Sequence, residues 1–211
     1  MGCVVTYQPL LPDLNKAKGP IAGSRRVAGA RAGRFYLSYG KRAVDLVLVA
    51  VTALPVGILV AVLALMIAAG GASPIFGHER VGKGGRVFRC WKLRTMVPDA
   101  EARLIRHLET NPEAAREWAE TQKLSHDPRV TRIGHLLRRS SLDELPQLWN
   151  VLRGDMSIVG PRPVTETELD RYGTARAAYL AMRPGITGLW QVRGRNSLSF
   201  MKRIAMDVEY A

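Results

Sequence analysis

The sequence predicts an α+β fold, mainly helical and membrane-monotopic. It comprises an N-terminal re-entrant (Pro-kinked) membrane helix, a small β-hairpin and a helical domain on the cytoplasmic side. Three observations predict this. The apolar run Ala43–Ala69 holds one charged residue, Asp45. Two β-prone pieces within residues 75–94 flank Gly82-Lys-Gly-Gly85, a hairpin signal. Beyond them come amphipathic helical stretches punctuated by proline and glycine.

The apolar run is long enough to cross a bilayer, for which about 20 residues suffice. A buried core helix of this length is a poor alternative. A signal peptide is another, because a long basic arm precedes the run. Cations flank both ends: Lys41 and Arg42 before it, and Arg80, Lys83, Arg86, Arg89, Lys92 and Arg94 after it. The positive-inside rule assigns both flanks to the cytoplasm, which a single straight span cannot satisfy. Pro55, with Gly57 close by, offers the bend that returns the chain to the same face. Residues 1–35 read as a basic, largely disordered arm. Residues 36–72 form the membrane-associated segment and 73–211 the cytoplasmic domain.

Along that domain, residues 98–123 predict one or two surface helices, broken near Asn111-Pro112, with Trp118 in packing. Val130–Arg139 predicts an amphipathic helix, and Val164–Met182 another helical piece. Lys83 among its glycines lacks the spacing of a phosphate loop and reads as a plain turn.

The net charge of +13 calls for an anionic partner: nucleic acid, a lipid surface or a phosphate-rich substrate. Apolar content of 47% excludes a disordered basic tail. Cys3 and Cys90 are too few for a disulfide framework and favour a reducing compartment. His78, His107, His126 and His135 show no zinc-ligand spacing.

The chemistry concentrates in residues 140–163. Asp143 and Glu144 adjoin a basic segment, Arg132–Arg139. An apolar run, Leu145, Leu148, Trp149, Val151 and Leu152, follows as the buried side of a helix, and then Arg162 between two prolines. A pair of carboxylates at a helix mouth beside cations is a place for a metal and a phosphate to meet. The alternative is structural: Ser141-Leu-Asp-Glu144 also fits a capping box. Pro146 fits a helix start at Leu142 or Asp143 better than one capped by Ser141. A second turn-dense stretch, residues 183–196, offers Arg183, Gln191, Arg193 and Arg195 among glycines. Forked donors on flexible backbone suit a diphosphate, or simply a solvated loop. On strand alternation, Lys92 and Arg94 point the same way.

These motifs recur in order: Lys41-Arg-Ala-Val-Asp45, Arg80-Val-Gly82, Lys92-Leu-Arg-Thr-Met96, Asp127-Pro-Arg-Val-Thr131, Ser141-Leu-Asp-Glu-Leu-Pro-Gln147, Gly154-Asp-Met-Ser157, Gly160-Pro-Arg-Pro163 and Pro184-Gly-Ile-Thr-Gly188. The chain thereby resembles the bacterial sugar transferases, the monotopic phosphoglycosyl transferases that start surface-polysaccharide assembly. It is most similar to those that transfer galactosyl phosphate for exopolysaccharide. The likeness runs from about residue 36 to the end. It departs at Leu54-Pro55, where some members have Ser-Pro. Members also usually continue past the final Asp-x-x-Tyr, so a longer natural chain is expected.

The resemblance implies that a UDP-sugar gives its sugar-1-phosphate to polyprenyl (undecaprenyl) phosphate, with UMP released. This would take place at the cytoplasmic face of the bacterial inner membrane. It implies Asp143 as nucleophile and Glu144 as a ligand of Mg²⁺. Arg138 and Arg162 are then expected to hold substrate phosphate, with Lys92, Arg94, Gln191 and Arg195 as further phosphate or nucleotide contacts. Membrane lipid is an expected partner and nucleic acid is not, since no RNA-binding or helix-turn-helix signature stands out. The remaining alternatives are a non-catalytic scaffold of a polysaccharide complex and a transferase moving the sugar alone.

Overall fold

A computed structural model describes residues 39–121, 124–194 and 198–211. The arm, residues 1–35, lies outside them. The described chain is mainly helical with one antiparallel hairpin, as the sequence predicts, and adds a short parallel strand pair.

Helix α1, Lys41–Ala69, contains Pro55 and its helical assignment continues through that residue. It is long and apolar enough to cross a membrane, and 11% of its most apolar window is buried within the protein. So little burial excludes a soluble core helix. Its few buried residues lie at its two ends: Asp45 and Val49 toward the start, Leu63 and Ile67 toward the finish.

The hairpin is the spine. Strands β1, Ile75–Val81, and β2, Val87–Leu93, pair antiparallel from Ile75 opposite Leu93 to Val81 opposite Val87. The turn between them contains Gly84 and Gly85 at φ +69° and +83°, a conformation that glycine adopts without steric cost. Each of the three apolar clusters draws on this hairpin. Val81 packs with Val164, Leu169, Tyr172, Tyr179 and Ile204. Phe88 and Cys90 pack with Val49, Val151 and Met156. Leu93 packs with Leu63, Ile67 and Leu137.

Two helices follow, α2, Ala100–Thr110, and α3, Pro112–Thr121, divided at the expected proline. The Asn111 side chain accepts from the amides of Glu113 and Ala114, both at 3.1 Å, so proline opens α3 with its missing N–H at no cost. The Trp118 ring lies under the Arg129 guanidinium at 4.9 Å. Helix α4, Arg132–Ser140, is capped by Thr131, whose hydroxyl accepts from the Gly134 amide. Its end turns at Ser141, the one non-glycine residue with positive φ (59°) among the described residues.

After α4 come a 3₁₀ turn, Leu142–Glu144, and α5, Gln147–Arg153. Strand β3, Ser157–Val159, pairs in parallel with β4, Gly185–Thr187. Between them lie α6, Glu166–Asp170, a 3₁₀ turn at Gly173–Ala175, and α7, Arg176–Ala181. The single helical piece expected over 164–182 is thus broken, at Gly173 with φ +51°. Helices α8, Leu189–Arg193, and α9, Phe200–Tyr210, close the chain.

The expected buried side of α5 needs correction. Val151 is fully buried, with Gln147 and Asn150 beside it, but Trp149 and Leu152 are exposed. Asn150 explains the orientation. Its carboxamide accepts from the Trp91 amide at 3.1 Å and donates to the Arg89 carbonyl at 2.8 Å, so α5 turns a polar residue onto the hairpin.

Candidate active site

The acidic pair occupies the 3₁₀ turn between α4 and α5. Ser141 makes no side-chain cap there, so its capping box does not form. A capping box does form at Thr165 and Glu168. With the backbone left-handed at Ser141 and Pro146 preceding α5, the chain reverses over a few residues and Asp143 turns inward.

Lys92 from β2 reaches both acids. Its ammonium donates to Glu144 Oε1 at 2.7 Å and lies 3.9 Å from Asp143 Oδ2. Burial raises the Asp143 pKa above the ordinary range. Lys92 and Arg138 pull it down, and Glu144 pushes it further up. Burial thus favours the protonated form of Asp143, and the two cations oppose it.

A shallow hollow, open to solvent, lies beside the pair. Arg80, Lys92 and Arg162 bring cations to it, with Glu144 the one acid on its wall. Gln147, Gln191, Cys90 and Ile186 complete most of the lining. Lys92 and Arg80 pair with Glu144 and Glu168, and Arg162 adds a cation with no carboxylate partner among the described residues, a balance that favours an anionic ligand. The Arg162 guanidinium lies 5.9 Å from the Trp190 ring, and Arg80 is held by Glu168 at 2.9 Å. Gln191 donates to the Ile186 carbonyl at 3.1 Å, while its buried Oε1 has no hydrogen-bond partner among the described residues. An orphaned acceptor on a pocket wall is a place for a ligand donor.

The structure gathers Glu144, Lys92, Arg162 and Gln191 around one hollow. Asp143 is not part of the lining; it follows behind Glu144 in the same turn, 3.9 Å from the Lys92 ammonium. Arg138 stands behind Asp143, donating to the Thr95 hydroxyl at 2.9 Å. Arg94 turns elsewhere: it follows the last residue of β2, donates to the Ser73 carbonyl at 2.7 Å and stacks on Phe76 at 5.4 Å. Strand alternation no longer governs it there. Arg195 lies outside the described residues. Arg80, Cys90 and Gln147 line the hollow without having been expected as contacts. Arg80 and Gln147 stood in quoted motifs, but no local pattern marked them as contacts; Arg80 reaches the hollow from β1, where it pairs with Phe88 of β2.

The glycines of the two turn-dense motifs serve close approach rather than flexibility. A Cβ on Gly185 would lie 2.1 Å from the Gly160 amide, and one on Gly188 would lie 2.4 Å from the Gly160 carbonyl. Only hydrogen side chains let β3 and β4 bring Arg162 and Gln191 to one pocket.

A metal at this site would find a small donor set. No cluster of three or more His, Cys, Asp or Glu able to hold a metal exists among the described residues. Mg²⁺, however, characteristically uses one or two carboxylates plus substrate phosphates. Glu144, with Asp143 beside it, fits that pattern and would not retain the ion alone.

The site defined so far is a carboxylate pair at the rim of a cation-lined hollow, on a domain tied to a long apolar helix. The chain belongs to the bacterial sugar transferase family, whose model matches residues 36–211. It is 54% identical over 149 residues to the UDP-galactose-lipid carrier transferase of Erwinia amylovora, covering 71% of this chain and 31% of that protein. It is 49% identical over 140 residues to the undecaprenyl-phosphate galactose phosphotransferase of Salmonella typhimurium, covering 66% of this chain and 29% of that protein. The UDP-glucose:undecaprenyl-phosphate glucose-1-phosphate transferase of Caulobacter vibrioides is 40% identical, with 96% and 76% covered. The chain spans about a third of the length of the first two relatives.

Proposed function

We propose that this chain transfers a sugar-1-phosphate from a UDP-sugar to polyprenyl phosphate, releasing UMP, as the first membrane step of exopolysaccharide synthesis. The observation that carries this is the Asp143–Glu144 turn at the edge of a pocket where Lys92, Arg80 and Arg162 converge. Asp143 Oδ attacks the phosphorus next to the sugar. A bond forms between carboxylate and phosphorus, the bond to the UMP oxygen breaks, and UMP departs with the electron pair. An oxygen of polyprenyl phosphate then attacks the same phosphorus and frees Asp143. Arg162 and Lys92 hold the diphosphate, which would otherwise repel the carboxylate. Lys92 and, from behind, Arg138 favour the ionised form of Asp143 against its burial. The unpartnered Gln191 Oε1 accepts from the nucleotide portion. Mg²⁺ held by Glu144 would neutralise diphosphate charge as a Lewis acid.

The membrane reading is that both ends of α1 stand on the cytoplasmic face. Support comes from contacts at the two ends of the helix with the same domain. Asp45 accepts from Ser157 Oγ at 2.8 Å and from the Ile158 amide at 3.1 Å. Arg42 donates to the Leu152 carbonyl at 3.1 Å and Lys41 to the Val159 carbonyl at 2.8 Å. Some twenty residues later Leu63 and Ile67 pack on Leu93 and Leu137. Were α1 a straight span, those contacts would lie about 33 Å apart, roughly a bilayer core. One charged domain cannot stand at both ends of such a span without entering lipid. Exposed Trp149 and Leu152, beside the Arg42 contact, suit the interface.

The test incubates membranes containing the full chain with Mg²⁺ and UDP-galactose or UDP-glucose, without lipid acceptor. A phosphosugar adduct on Asp143, mapped by mass spectrometry, is expected with one donor, and Asp143→Asn loses it with a turnover drop of about a thousandfold or more. Full turnover by Asp143→Asn, or release of UDP in place of UMP, would overturn the mechanism.

A further inference from the structure

A second hollow, open to solvent, shares no lining residue with the first. Three chain segments build it. The hairpin turn brings Lys83 and Arg86, the α5–β3 turn brings Gly154 and Asp155, and the segment before β4 brings Arg183. Arg183 Nε donates to the Gly154 carbonyl at 3.0 Å, which aims its guanidinium. Among the described residues, its terminal nitrogens and the Lys83 and Arg86 side chains have no protein hydrogen bond or ion pair. Asp155 is the one acid on the wall, and it is engaged 3.7 Å from Arg153 with its side chain 7% exposed. Like charges gathered in a concavity repel, and no free carboxylate here offsets that repulsion. A bound anion does.

Location selects the anion. The Arg42 guanidinium, in the first turn of α1, lies 3.6 Å from where a Cβ on Gly154 would stand. The Phe88 ring of this hollow packs with Val49 of α1. The hollow therefore adjoins the start of the apolar helix, where lipid headgroups begin. We propose that it binds the phosphate of an anionic phospholipid headgroup, which orients the domain on the membrane. This placement rests on the membrane reading above, while the phosphate chemistry does not.

The full chain is purified in neutral detergent and its thermal melting followed with phosphatidylglycerol, phosphatidylcholine or inorganic phosphate added. Phosphatidylglycerol and phosphate are expected to raise the melting temperature and phosphatidylcholine to leave it unchanged. Lys83→Gln/Arg86→Gln should need roughly thirtyfold more phosphatidylglycerol, and each single exchange about fivefold more, since a cation at an anionic surface contributes about that factor. Both side chains are exposed on the turn, so the variants should melt like the parent without additive and keep its basal turnover in neutral detergent. A response to phosphate but not to phosphatidylglycerol overturns the headgroup assignment. A variant response equal to the parent's overturns the site. Melting is read without any UDP-sugar, so the outcome stands apart from whether Asp143 carries a phosphosugar.

Discussion

Single side chains set the site's geometry and its affinity. Asn150 is 1% exposed and clasps the β2 backbone with both ends of its amide. Asn150→Ala strands the Trp91 N–H and the Arg89 carbonyl in a partly buried place. The expected loss is about 2–5 kcal/mol in chemical denaturation, with Lys92 displaced from the acids as α5 loosens from β2. A loss under about 1 kcal/mol would show that water replaces the amide. Gln191 acts on the ligand instead. Gln191→Leu removes the orphaned acceptor of the pocket. The KM for the nucleotide donor should rise about tenfold with kcat little changed, because one hydrogen bond common to ground and transition state is lost. A fall in kcat at constant KM would place Gln191 at the reacting phosphorus instead. Asp143 and Glu144 were legible from their neighbours in the chain. Arg80, Gln147 and Asn150 were not, because their role comes from strand and helix partners far away in sequence.

At the scale of elements, α9 is joined to the segment around α6 by a buried pair. The Tyr172 hydroxyl donates to Asp207 Oδ2 at 2.8 Å, and Asp207 is 2% exposed. Burial pushes Asp207 up to about 6 from 3.8, and the Tyr172 bond pulls the other way. The folded pKa stands above the unfolded one, so this group favours folding most below about 4. That contribution falls away as pH rises to about 6, by roughly 3 kcal/mol. Asp207→Asn keeps an acceptor for Tyr172 and removes the buried charge. Its melting profile should lose that downward slope and lie level with or above the parent's at pH 7. Parallel profiles across this range would sink the assignment. Periodicity found α4, and Asn111-Pro112 marked the division between α2 and α3. It missed β3 and β4, since three residues each, set among glycine and proline, carry no period, and their pairing joins residues 157–159 to 185–187.

For the whole molecule the question is which side of the lipid each end of α1 occupies. Single cysteines at Tyr39 and Gly71, with Cys3 and Cys90 replaced by serine, should both react with a membrane-impermeant maleimide from the cytoplasmic side in oriented vesicles. Labelling of the two from opposite sides would make α1 a span and detach one of its packed ends from the domain. Charge flanking the apolar run already pointed to one face. The domain contacts at Asp45 and Ile67 supply a second, independent reason.

The sequence by itself determined the apolar helix, the hairpin, the acidic pair and the family, because each is written in contiguous residues: a run of one polarity, a glycine turn, adjacent carboxylates, motifs in order. Only the tertiary structure decided which cations meet those carboxylates. Lys92, Arg80 and Arg162 come from three distant segments and converge through the hairpin spine and the glycine-close β3–β4 pair, while Arg94, two residues from Lys92, turns away at the strand's end. Convergence is a product of packing between segments, and no local pattern encodes it.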